Sequence, residues 1–184
     1  MMEARNKKRL QLVLIASIFA LPVLIAMILA LGGWVPGARS FGVGIVPQQS
    51  VDKVSVRLID GSQLAWQDPD WRWSLVALPG RDCGPLCIRQ LDQMHRARIS
   101  LNQKSGRVRL IYLGQAPAGG KEVDGLMASW QIGDDINQGF GSWKPDVDDG
   151  VSAVLIKPDG VAVTYYPNGF DASGLRKDLA KVTK

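Results

Sequence analysis

The apolar positions of the chain follow two regimes. From Leu10 to Trp34 they run without a single charge, "LQLVLIASIFALPVLIAMILALGGW", over 25 residues. About 20 such residues cross the hydrocarbon core of a bilayer as a helix. Pro22 sits mid-run, where a soluble helix would break and a membrane helix tolerates a kink. The pattern predicts one transmembrane anchor over residues 10–34. The alternative is a cleaved signal peptide, whose apolar stretch is shorter, about 7 to 15 residues.

Beyond Trp34 the pattern becomes that of an exported domain. Residues 35–50, "VPGARSFGVGIVPQQS", are rich in Gly, Pro and Ser and read as a linker. The domain is then expected over 51–184. "VSVRLID-GS-QLAWQ" alternates on both sides of a Gly-Ser turn and predicts a hairpin. "WRWSLVALP" (71–79) and "RVRLIYLG" (107–114) are apolar runs of buried-strand type. Between them, Leu91, Met94, Ile99 and Leu101 recur at roughly helical spacing. "KEVDGLMASWQI" (121–132) reads as a second helix. "SAVLIKPDGVAVTYYP" (152–167) reads as a hairpin with a Pro-Asp-Gly turn. "DASGLRKDLAKVTK" (171–184) reads as a closing amphipathic helix capped by Asp171. Strands alternating with helices imply a central mixed sheet flanked by helices, an α/β fold.

Charge orients the anchor. The first nine residues, "MMEARNKKR", hold +3 of the formal +5, so +2 is left for the rest of the chain. Cationic flanks stay in the cytoplasm. This predicts a single-pass protein of a bacterial inner membrane, with residues 1–9 cytoplasmic and the domain periplasmic. No basic patch interleaved with aromatics is present, so no nucleic-acid partner is expected. Residues 134–150, "DDINQGFGSWKPDVDDG", lack the ligand spacing and closing Glu of a calcium loop. They read as a surface loop near the cysteine end of the sheet. No Ser-His-Asp set or phosphate-binding glycine pattern stands out.

The chemistry lies in "CGPLC". Cys83 and Cys87 are the only two cysteines, with three residues between them. In an oxidising compartment such a pair can join, but a loop this short stabilises little. A redox pair or half of a metal site fits better than a staple. Cys83 falls at the end of a strand and the start of a helix, and Pro85 suits a first helical turn. Free first-turn amides and the helix dipole would stabilise a thiolate at Cys83. With the helix starting near Cys83, Cys87 is one turn on and both sulfurs share a face. Two inert buried thiols are the plain alternative. A cysteine motif where the first core strand meets its helix, followed by β-β-α, points to a thioredoxin-like fold.

"SLVALPGRDCGPLCIRQLDQM" resembles the cysteine segment of the Sco/SenC family, the assembly factors of cytochrome c oxidase. "VLIKPDGVAVTYY" and the helix after it resemble that family's closing hairpin and helix. The single N-terminal anchor also matches. The resemblance spans about residues 50–184 and implies a Sco-type thioredoxin-like domain acting in oxidase biogenesis. It implies copper(I) on Cys83 and Cys87, with oxidase subunits or copper chaperones as partners. The family's third ligand is a histidine, and the matching position here is Asp149. A carboxylate is a poor donor for copper(I). Thioredoxin-type proteins carry a cis-proline near this loop, and the matching residue here is about Val151.

His95, the only histidine, lies eight residues beyond Cys87, about 12 Å along a helix and too far to share a metal. Met94 reads as core, and Met127 could approach from another helix. Trp71 and Trp73 read as core or rim, and Trp130 and Trp143 as core or a partner surface. Three functions follow: thiol–disulfide exchange through Cys83 and Cys87, a two-thiolate copper(I) site completed by a partner, and a non-catalytic assembly protein.

Overall fold

The computed structural model describes Leu14, residues 16–25, Met27, Ile28 and residues 40–184. It divides into two units, residues 1–39 and 40–184. In the first unit the described residues are helical. Among the described residues no helix is long and apolar enough to cross a membrane. The basic tail 1–9 lies outside the described residues, as do most of the ends of the expected anchor and the first part of the linker.

The second unit holds seven strands and three α-helices in the order β1 (Val43–Ser50), β2 (Val56–Leu58), β3 (Trp73–Pro79), α1 (Pro85–Ile99), β4 (Val108–Leu113), α2 (Lys121–Met127), β5 (Gln131–Asp135), β6 (Val151–Ile156), β7 (Val161–Tyr166) and α3 (Ala172–Val182). Short 3₁₀ turns cover Asn102–Arg107 and Gly141–Trp143. All seven strands form one sheet, ordered β1-β7-β6-β3-β4-β5-β2. β3, β4 and β5 are parallel neighbours, whereas β6 and β7 return antiparallel. The expected mixed sheet is therefore present.

The central strands are apolar over most of their length because both sheet faces are covered. Leu75 and Ala77 of β3 point one way, with Leu110 and Tyr112 of β4 and Leu155 of β6, into a core that also holds Leu91 and Met94 of α1, Val123 of α2 and Leu179 of α3. Val76 and Leu78 point the other way, with Ile111, Val154 and Ile156, into a core closed by Val51, Leu64, Trp66 and Phe140. The period-2 alternation of strands divides the two sets. One face is thus roofed by helices, and the other by the 51–66 segment and the loop after β5.

Three sequence expectations change. Residues 43–50, read as linker, are edge strand β1, antiparallel to β7. The predicted 54–67 hairpin shrinks to β2 and single bridges, because β2 takes β5 as its partner and Arg57 makes only an isolated bridge with Gln63. The predicted helix 121–132 ends at Met127, and Gln131 onward is β5. The Lys157 carbonyl turn of the predicted 152–167 hairpin closes with Gly160 at φ 81°, the left-handed conformation glycine supplies freely.

Buried polar groups tie the ends together. Asp68 accepts from the Arg72 Nε at 3.2 Å and pairs with Arg109 at 3.3 Å. Arg109 in turn donates to Ser74 and to the Ala65 and Trp66 carbonyls. This network pins the β2–β3 connection to the sheet pole opposite the cysteines.

Candidate functional site

Cys83 and Cys87 are joined in a disulfide, with Cα atoms 5.1 Å apart. Cys83 is partly exposed in the loop after β3, while Cys87 is fully buried in the third residue of α1. The sequence put the helix start near Cys83 and Cys87 one turn on; the helix begins two residues later, at Pro85, so Cys83 stays in the loop and Cys87 lies in the first turn. Gly84 is the N-cap without a side chain to cap with, and Pro85 opens the helix.

The cap comes from elsewhere in the chain. The Asp149 carboxylate accepts the Cys87 amide at 2.9 Å on Oδ1 and the Leu86 amide at 3.1 Å on Oδ2. The Gly84 amide adds to the same interaction. Pro85 has no N–H and the Ile88 amide already bonds the Gly84 carbonyl at 3.0 Å. Every free amide of the α1 N-terminus thus serves Asp149. The Cys87 amide first, then those of Leu86 and Gly84, hold this carboxyl below the ordinary carboxylate range against a smaller opposing effect of burial. The expected stabilisation of a Cys83 thiolate by free amides is corrected: the anion on that helix is the Asp149 carboxylate.

Two glycines allow this approach. A Cβ on Gly84 would stand 2.8 Å from Asp149 Oδ2. A Cβ on Gly80 would overlap the Val147 and Asp148 carbonyls. The two loops lie side by side, with the Gly80 amide on the Gly150 carbonyl at 2.9 Å and the Asp82 amide on that of Asp148 at 3.2 Å. Arg81 pairs with Asp148 at 3.0 Å on the surface. The 134–150 segment therefore reaches the cysteine end of the sheet, as its sequence predicted. Val151 stands opposite Pro79 at the start of β6. The described residues contain one cis peptide, Val46–Pro47, in β1.

The remaining candidates are structural. Met94 is fully buried and Met127 nearly so, in the cluster that contains Cys87. Trp130 is core, and Trp143 packs against Phe140 at 5.6 Å. Trp71, expected in core or rim, is instead 73 % exposed. His95 stays on α1 away from the pair; burial first, then Arg98, pushes its imidazole pKa down. Tyr112, which the sequence did not single out, lines a cleft beside Cys83. Burial pushes its phenol up to about 12, and its O–H is committed to the Gln115 carbonyl at 3.0 Å. Two clefts share Cys83, Gly84 and Ala118: one of about 790 Å³ beside Tyr112, one of about 690 Å³ between α1 and α2 over Ile88, Val123 and Leu126.

Among the described residues no group of three or more His, Cys, Asp or Glu is placed to hold a metal ion. The donors at this site are two sulfurs and a carboxylate already bonded to amides. Copper(I) favours soft donors, and this set does not complete a three-ligand copper site among the described residues.

A parallel β3-β4-β5 core, a closing β6-β7-α3 and a cysteine pair at the β3–α1 junction define a thioredoxin-like protein. The chain belongs to the family of transmembrane-like, thioredoxin-like, C-terminal domains, whose sequence model matches residues 73–184. No curated protein matches the sequence. Among solved structures, apo Sco1 from Thermus thermophilus aligns with a TM-score of 0.58 at 16 % identity, over 80 % of this chain and 99 % of that one. Copper-bound yeast Sco1 aligns with a TM-score of 0.53 at 14 % identity, over 79 % and 94 %. The bacterioferritin comigratory protein of Xanthomonas campestris, an alkyl peroxide reductase, aligns with a TM-score of 0.52 at 14 % identity, over 77 % and 100 %. At these identities the likeness establishes the fold: thioredoxin-like, of the form seen in Sco proteins.

Proposed function

We propose that the protein is a membrane-anchored, periplasm-facing thiol–disulfide exchange protein, with Cys83 as the exchanging sulfur and Cys87 as the resolving one. The observation that carries this is the asymmetry of one disulfide, with one sulfur partly exposed and the other buried in the first turn of α1. A partner thiolate attacks Cys83 Sγ, the S–S bond breaks, and Cys87 leaves as a thiolate that takes a proton. A second partner thiolate then attacks the partner's own sulfur in the mixed disulfide and expels Cys83. Two electrons pass to the pair and the partner becomes a disulfide; the reverse sequence reduces a partner. Oxidase biogenesis is the setting we infer, supported by the Sco-like cysteine segment at 74–94 and the Sco-type fold. The charge-free run at 10–34 supports the anchor, and the basic residues before it support a cytoplasmic N-terminus.

The test uses the full chain in detergent with glutathione disulfide as probe. Cys87→Ser should form a glutathione mixed disulfide at Cys83 roughly tenfold faster than Cys83→Ser forms one at buried Cys87. Equal rates, or a faster Cys83→Ser variant, would reverse or remove the assignment. In membranes, the partner trapped by Cys87→Ser should include an oxidase subunit or a copper chaperone; trapped partners unrelated to the oxidase contradict the setting alone.

A further inference from the structure

The exchange reading leaves one contact without a role. Asp149 lies in the loop before β6, 62 residues from Cys87 in sequence, yet its carboxylate takes the Leu86 and Cys87 amides. These are the same donors that would stabilise a thiolate at the start of α1, since the first-turn amides and the helix dipole are what lower a cysteine's pKa in that position. Gly84 is kept without a side chain at the point where Asp149 enters. The neighbouring loops are fastened by two backbone hydrogen bonds and the Arg81–Asp148 pair. The loop that carries the carboxylate is thus fastened in place by contacts that do not involve the sulfurs.

Resting on the exchange reading, we propose that Asp149 is a positioning residue that sets the redox poise of the pair: by occupying the α1 N-terminus, it withholds those amides from the reduced sulfurs and favours the disulfide. Reduction adds two electrons and two protons to the pair and breaks the S–S bond. In a protein whose helix amides are free, the resulting thiolate is stabilised there, the reduced form gains, and the pair becomes a strong oxidant. Here the helix is already neutralised by a fixed carboxylate, and a second anion beside it is repelled. The pair is therefore poised toward the reducing end, suited to receiving a disulfide from a partner and holding it. In its reduced form it would be a donor of electrons rather than a potent oxidant.

Beside Asp149 lie the amides of α1, Asp82, whose backbone bridges that of Asp149, and the Arg81–Asp148 pair of the adjoining loop segments. No lysine or arginine forms an ion pair with Asp149 among the described residues, so the amides alone hold it.

The experiment is the equilibrium of the full-length protein in detergent with reduced and oxidised dithiothreitol, read by thiol alkylation. Asp149→Ala should shift the equilibrium toward the dithiol by at least about tenfold, equivalent to ~30 mV for a two-electron couple. Asp149→Asn, which keeps one oxygen acceptor and loses the charge, should shift it the same way by less, and it guards against a folding defect in the alanine variant. An unchanged constant in both variants, with only lower thermal stability, makes Asp149 a plain helix cap and overturns the proposal while exchange itself stands. A shift toward the disulfide also overturns it. A wild-type pair inert to dithiothreitol while the fold is intact removes the exchange reading and the proposal with it.

Discussion

At the level of single residues, two glycines and an aspartate decide the character of the cysteine site. The spacing of Cys83 and Cys87 was plain in the sequence, as was the helix start marked by Pro85. What Asp149 does was not. The resemblance to Sco proteins singled it out as the counterpart of a ligand histidine, but local sequence carries no sign that its carboxylate crosses to cap α1. The signal was indirect: a glycine at the N-cap, where a Ser, Thr, Asn or Asp is usual, leaves the cap to be supplied from another segment. This makes Gly84 a test of the contact from the other side. A methyl group there would meet Asp149 Oδ2 at 2.8 Å, so Gly84→Ala should push the carboxylate off the amides. The variant should shift the dithiothreitol equilibrium toward the dithiol as Asp149→Ala does, with a lower melting temperature of the oxidised protein. A Gly84→Ala variant with wild-type equilibrium and melting would show that the cap tolerates the methyl group.

Among the elements, apolar runs and turn signals located β3, α1, β4, β6, β7 and α3 well, because each buries enough surface to impose its own period. The errors fall where a partner far along the chain decides. Residues 43–50 look like linker because only Ile45 is buried among them; they become β1 because β7 offers an open edge. Val56–Leu58 pairs with β5 rather than with its neighbour across the Gly-Ser turn. The start of β1 is further held by α3. Asp178 accepts from the Phe41 amide at 2.7 Å, Ser40 Oγ at 2.8 Å and Tyr166 Oη at 3.1 Å, and pairs with Lys181 at 3.2 Å. Burial alone would raise the Asp178 pKa, but the hydrogen bonds from Ser40, Phe41, Lys181 and Gly42 outweigh it and hold the carboxyl low. A folded-state pKa below the unfolded one gives stability that is complete above the unfolded value and is lost as pH falls through the folded one. Asp178→Ala should therefore cost about 2 kcal/mol at neutral pH, since it orphans the buried Tyr166 hydroxyl and removes the acceptor of the part-buried Phe41 amide and Ser40 hydroxyl. The gap from wild type in urea unfolding should hold down to about pH 5 and narrow below about pH 4. A gap that widens on acidification would contradict the assignment.

For the whole molecule, a mixed sheet flanked by helices and a cysteine motif where the first core strand meets its helix are what the sequence implied, and the family match and the Sco-like structures support that thioredoxin-like fold. The fold was legible because its central strands are apolar on consecutive residues, which demands cover on both faces. The identity of that cover was less legible. The second face is closed by Val51, Leu64, Trp66 and Phe140 from irregular segments, and irregular chain has no period to read. The disulfide itself contributes little to holding this structure together. Closing so short a loop is worth only ~2 kcal/mol in the chain-entropy account, against two cores that run the length of the sheet. A bond that the fold does not need is one the fold can open.

That last point is open to direct measurement. The full-length protein in detergent is equilibrated across a series of reduced-to-oxidised dithiothreitol ratios, its free thiols are counted by alkylation mass shift, and its fold is followed by circular dichroism. The account predicts that two thiols appear together in one reversible two-electron transition, with the secondary structure unchanged throughout. Thiols that stay hidden in the most reducing buffer while the fold is intact, or that emerge only as the protein unfolds, would contradict it.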